Sequence, residues 1–128
     1  MVIDTGLPLG QFTDVVSSFG PLIDYVKFGW GTSVVTPGIE SKMAAARTHG
    51  VDFYLGGTLF EKYLLQNRFD EFRGVCREYG ATTIEVSNGT APLSHEEKSA
   101  YVEKLAGEFR VVAEVGFKDN VQSENFPP

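Results

Sequence analysis

Apolar and polar positions along the chain follow two periods. Short runs of period two, near residues 1–5, 24–28, 51–55, 82–87 and 111–115, predict five strands. Between them apolar residues recur three and four apart and predict helices. Phe12, Val15, Val16 and Phe19 form the stripe of a helix over 11–19, which Gly20 and Pro21 stop. Pro37 opens a second helix with Ile39, Met43 and Ala46 inward, and Gly50 lies just past its end. Residues 59–66 and 68–79 read as one long or two abutting helices, with Phe69, Phe72, Cys76 and Tyr79 as the stripe. Ser94 and Glu97 form a capping box that opens a helix through Phe109, with Tyr101, Val102 and Leu105 inward. Residues 120–128 lack periodicity, close on Pro-Pro and are expected to be disordered, leaving 1–119 as one domain.

Strict alternation of strands and helices predicts a parallel sheet with right-handed crossovers. An open doubly wound sheet and a closed eight-stranded barrel both satisfy that pattern, and five units suit a flavodoxin-like fold by length alone. The strand interiors separate the two. Val26 and Phe28 share one strand face while Tyr25, Lys27 and Gly29 share the other, so Lys27 points where a core residue belongs. Asp4, Glu85 and Glu114 occupy comparable positions, each flanked by residues of the opposite face. Charges within strands are costly when helices cover both faces of a sheet. In a barrel they face the lumen near the carboxyl ends, where such enzymes work. The expectation is a (β/α)8 barrel of which this chain supplies about five units.

Composition narrows the partners. With 128 residues and 42% hydrophobic content the chain suits one compact domain, and its net charge of −6 argues against a nucleic-acid partner. No apolar run approaches the roughly 20 residues that span a bilayer. A lone cysteine, Cys76, excludes an internal disulfide, is expected in a helix core and points to a cytoplasmic protein. Open sheet edges are expected to pair with another copy or with a missing carboxyl-terminal half.

Carboxylates beside a lysine at a strand-end mouth suit a hard cation such as magnesium, with the lysine neutralising an anionic substrate or acting as a general acid. Equally, Lys27 could simply pair with Glu85 or Glu114 in a tolerable buried network. The glycine-containing exits at 29–33, 56–58 and 88–90 could aim amides and hydroxyls at an anion. His49 and His95 fall at helix ends as surface or capping residues, and Trp30 is expected to pack under a loop rather than line the mouth.

Val-Lys-Phe-Gly-Trp-Gly-Thr-Ser at 26–33, Gly-Gly-Thr-Leu-Phe-Glu at 56–61, Ile-Glu-Val-Ser-Asn-Gly-Thr at 84–90 and Glu-Val-Gly-Phe-Lys-Asp at 114–119 closely resemble the phosphosulfolactate synthase family in order and spacing. The resemblance covers residues 2–119 and implies a (β/α)8 barrel. It also implies magnesium-dependent addition of sulfite to phosphoenolpyruvate, giving phosphosulfolactate on the way to coenzyme M or sulfolactate. By that resemblance Glu85, Glu114 and Asp4 are the metal-side carboxylates. Lys118 is the first choice for the general acid, Lys27 binds anion, and Gly31, Thr32, Ser33, Thr58, Ser87 and Asn88 contact phosphate, carboxylate or sulfite. Family members are about twice as long, which leaves a second expectation open. A truncated barrel could serve as a non-catalytic scaffold or anion-binding protein, as the plant heat-stress relatives of the family show is feasible.

Overall fold

The computed structural model describes residues 1–116. Five strands form one parallel sheet in sequential order: β1 (Val2–Asp4), β2 (Tyr25–Phe28), β3 (Asp52–Leu55), β4 (Thr83–Val86) and β5 (Arg110–Ala113). The helices between them are α1 (Leu9–Phe19), α2 (Ile39–Thr48), α3 (Gly57–Leu65), α4 (Phe69–Glu78) and α5 (His95–Ala106). Sequential strand order is what a barrel requires, because a doubly wound sheet reverses its order partway. Among the described residues no helix is long and apolar enough to cross a membrane.

The predicted stripes become the outer layer of the core. Phe12 and Val16 of α1, Met43 and Ala46 of α2, Phe60 of α3, Phe72 and Cys76 of α4, and Leu105 of α5 are all buried against the sheet. From the strands they meet Val26, Phe28, Phe53, Leu55, Ile84 and Val86. Removing each of the phenylalanine, leucine, isoleucine, valine and methionine side chains among them from water stabilises the fold by about 1.5–3 kcal/mol. The 59–79 segment divides into two helices at Asn67, whose φ of 56° is left-handed and breaks the helical path. The Ser94–Glu97 capping box forms, but α5 ends at Ala106 rather than reaching Phe109. Pro37 sits one residue before the helix cap, where Gly38 at φ 67° turns the chain into α2. The tail at 120–128 lies outside the described residues.

Register fixes the second face. Ile3 lies beside Lys27, Lys27 beside Tyr54 and Tyr54 beside Thr83, so these four share the side of the sheet opposite the apolar core. Glu85 and Val112 continue that side on β4 and β5. Ile3 is 46% and Val112 36% exposed, so that side is not sealed at its margins. It is concave as well. In a flat sheet β2 and β5 stand three strand spacings apart, roughly 14 Å. Yet Lys27 of β2 lies 3.6 Å from Glu114, just past β5, and Arg110 of β5 donates a hydrogen bond to the Tyr25 hydroxyl of β2. Only a strongly curled sheet brings those pairs together.

Candidate active site

The strand ends create the site because each exit must turn within a few residues, and glycine lets neighbouring exits approach. A Cβ on Gly57 would stand 2.2 Å from Ser87 Oγ and 2.6 Å from Ser87 Cβ, so only glycine allows the start of α3 to touch the exit of β4. The exit of β2 is a tight 3-10 segment, Gly29–Val34, in which Trp30 and Gly31 both take left-handed backbone, at φ 50° and 74°. Holding a tryptophan there costs about 1–3 kcal/mol of strain.

In the concavity Lys27 Nζ donates to Glu85 Oε1 at 2.7 Å and lies 3.6 Å from Glu114 Oε2. Glu85 is fully buried and Glu114 is 36% exposed. Burial, together with a proton shared with the Glu114 carboxyl, pushes Glu85 up to about 7, although Lys27 pulls the other way. Burial also acts to lower the Lys27 pKa, but the hydrogen bond and charge of Glu85 outweigh it and leave the ammonium raised. Two carboxyls with one cation between them are one positive charge short. The site holds a proton near neutrality, and a cationic ligand would displace it.

Next to this trio opens a cavity of about 200 Å³ lined by Ile3, Lys27, Gly29, Trp30, Thr58 and Glu114. Trp30 is 64% exposed at its rim, so it lines the mouth instead of packing under a loop. A second, more apolar cavity of about 250 Å³ shares Trp30 and Thr58 and includes Gly31, Val35 and Lys62.

The other expected site residues divide. Thr58 is at the mouth, and Gly31 is on the second cavity. Thr32 Oγ1 and Ser33 Oγ are buried with no hydrogen-bond partner among the described residues. Ser87 and Asn88 are committed elsewhere: Ser87 Oγ donates to Glu61, while Asn88 Nδ2 donates to the Leu93 carbonyl at 2.9 Å and its Oδ1 accepts from Lys98 at 3.2 Å. Asp4 does not join Glu85 and Glu114. It pairs in register with Phe28 on the helix side, where its carboxylate accepts from Lys42 Nζ at 2.6 Å and from the Gly6 and Leu7 amides. Lys118 lies outside the described residues. Glu85 and Glu114 are therefore the carboxylates available to a cation here, and no group of three or more His, Cys, Asp or Glu side chains that could hold a metal ion gathers among the described residues.

The structure also buries polar side chains that the residue pattern does not single out. Lys42 and Lys98 are buried on the apolar faces of α2 and α5, and Lys98 Nζ also donates to the Glu114 carbonyl. Glu61 is buried on α3, and Tyr54 is buried on the concave side beside Lys27. A charge on a helix's buried stripe is the signal that marks the lysines: Lys42 is three residues after Ile39, and Lys98 three before Tyr101.

A curled parallel sheet with ionisable groups gathered at its carboxyl-terminal mouth defines a partial (β/α) barrel of the enzyme type. The chain belongs to the (2R)-phospho-3-sulfolactate synthase (ComA) family, whose model matches residues 1–128. It is 45% identical over 119 residues to the phosphosulfolactate synthase of Bacillus subtilis (strain 168), covering 93% of this chain and 47% of that protein. It is 37% identical over 121 residues to the phosphosulfolactate synthase of Methanocaldococcus jannaschii, covering 92% and 48%. The chain spans about half the length of the curated relatives it matches.

Proposed function

We propose that the chain contributes the carboxylate and lysine side of a phosphosulfolactate synthase site, which adds sulfite to phosphoenolpyruvate to give (2R)-phospho-3-sulfolactate. The observation that carries this reading is Lys27 held between Glu85 and Glu114 on the wall of a cavity at the strand ends. The sulfur lone pair attacks the methylene carbon, the double-bond pair moves onto the neighbouring carbon and its carboxylate, and that carbon then takes a proton. The Lys27 ammonium, kept protonated by its carboxylates, binds the anionic substrate and offsets the charge that builds on it. Thr58 and the exit of β2 border the same cavity and orient the substrate. Lys118 remains the first choice for the carbon-directed proton.

Glu85 and Glu114 fit magnesium, which takes one or two carboxylates and fills its remaining positions with water and substrate oxygens. Bound there it supplies Lewis-acid stabilisation of the negative charge on the substrate carboxylate. In this reading the rest of the barrel comes from further chain or from another copy.

The commitment of Ser87 and Asn88 to Glu61 and Lys98 favours a second reading, an anion-binding scaffold without turnover. Phosphorus NMR of the chain with sulfite, phosphoenolpyruvate and magnesium, alone and with the remaining barrel half supplied separately, separates the two. Product formation that falls by at least about 100-fold in Lys27→Ala supports the synthase. Binding of phosphoenolpyruvate without product in either mixture establishes the scaffold, and turnover unaffected by Lys27→Ala refutes the role given to that residue.

A further inference from the structure

Glu61 closes the Gly-Gly-Thr-Leu-Phe-Glu motif and has no part in the chemistry above. It is 1% exposed at the middle of α3, four residues after Gly57. Its carboxylate accepts from the exit of β4 with both oxygens: Oε1 from the Ser87 hydroxyl and the Gly89 amide at 3.2 Å, and Oε2 from the Thr90 amide at 2.7 Å, the Thr90 hydroxyl at 2.5 Å and the Ala91 amide at 2.5 Å. Burial acts to raise its pKa, and these donors more than reverse that, so the group is held as a carboxylate.

Three successive exit amides thus converge on an anion, but the anion is part of the protein. The nest formed by residues 89–91 is filled from α3 and is closed to a substrate phosphate. What the contact controls is distance. The same helix carries Thr58 at the mouth, and β4 carries Glu85 two residues before Ser87. At Gly57 the helix start and the β4 exit already touch, and a Cβ there would also come within 3.4 Å of Glu85 Oε1. Among the described residues Glu61 bridges α3 to that exit, which it engages through five donors.

We propose that Glu61 is a positioning residue: by fastening the β4 exit to α3 it sets Thr58 and Glu85 at the separation that substrate binding needs. This rests on the synthase reading for the identity of the substrate. Replacing the carboxylate by an amide keeps the shape but turns an NH2 group towards N–H and O–H donors, so Glu61→Gln loosens the exit without emptying the core.

Titration of the full chain with phosphoenolpyruvate in the presence of magnesium, read by fluorescence of Trp30 at the mouth, tests this. Glu61→Gln is expected to weaken binding at least about tenfold, as losses of supporting hydrogen bonds around sites do. Glu108→Ala serves as the comparison. It removes the links from Arg73 and Arg77 at the other end of α5, so it lowers the melting temperature without touching the mouth. Affinity lost in Glu61→Gln and kept in Glu108→Ala supports positioning. Equal losses in both, or no loss in Glu61→Gln, overturn it. If the parent chain shows no response to phosphoenolpyruvate, the synthase reading fails and hydrogen exchange without ligand decides the geometry. Faster exchange in Glu61→Gln at 89–91 together with 56–59 supports the fastening of the two segments, and faster exchange at 89–91 alone refutes it.

Discussion

Replacing Glu85 by glutamine should change how stability depends on pH, and the change can be worked from the site. A free glutamate carboxyl titrates near 4.5, and in the folded chain burial and Glu114 push Glu85 up to about 7. Between those values the folded state binds a proton that the unfolded state has released, so wild-type stability falls as pH rises through the window. The full difference corresponds to about 3 kcal/mol, and exposure of neighbouring Glu114 to solvent reduces the expectation to about 2 kcal/mol. Glu85→Gln has nothing to ionise there. Urea denaturation at pH 5 and pH 8 gives the comparison, and taking the difference between the two pH values cancels the constant cost of altering the 2.7 Å contact with Lys27. The variant should gain about 2 kcal/mol on the wild type between pH 5 and pH 8. Magnesium at pH 8 should restore wild-type stability and leave the variant unmoved, because it would supply the positive charge that the carboxyl pair loses with its proton above pH 7. Parallel stability curves for the two proteins would refute the account of Glu85 as the group that holds this proton.

Lys42→Met should cost about 3 kcal/mol in urea denaturation, because Asp4 then stays buried without its cation, and adding Asp4→Asn should recover most of the loss. An unchanged midpoint in the single variant would show the pair to be energetically neutral. Gly57→Ala should destabilise by about 1–3 kcal/mol, since the new Cβ meets Ser87 at 2.2 Å. Gly74→Ala, in α4 with nothing within 4 Å of its added Cβ, should instead stabilise by about 0.5–1 kcal/mol. Equal effects of the two alanines would refute the close-approach argument for Gly57.

Much of this arrangement was legible in the sequence because it depends on local periods. Lys27 and Glu85 stand out as charges inside period-two runs, and the register that puts both on the concave side follows from their apolar neighbours facing the helices. Asp4 shows the same local pattern and goes the other way. Its strand is three residues long, and pairing Ile3 with Lys27 turns Asp4 towards α2. A displacement of one residue exchanges the faces, and so short a strand contains too little pattern to fix it. Ser87 and Asn88 were placed correctly at a strand exit. Their partners, Glu61 and Lys98, belong to α3 and α5, so their occupation could not be read from the exit itself. Packing under a loop is the expectation for Trp30, whereas the left-handed turn at Trp30 and Gly31 carries the ring outward.

The contacts from β2 across to β5 have a geometric consequence. An arc carries its own bend: with Lys27 reaching Glu114 and Tyr25 reaching Arg110, the five described strands are already curved towards one another. Among the described residues β1 and β5 form the margins, and any complement must match that curvature as well as their hydrogen-bonding register. A stack of flat strands laid along either margin could satisfy the hydrogen bonds and still fail to complete the circle.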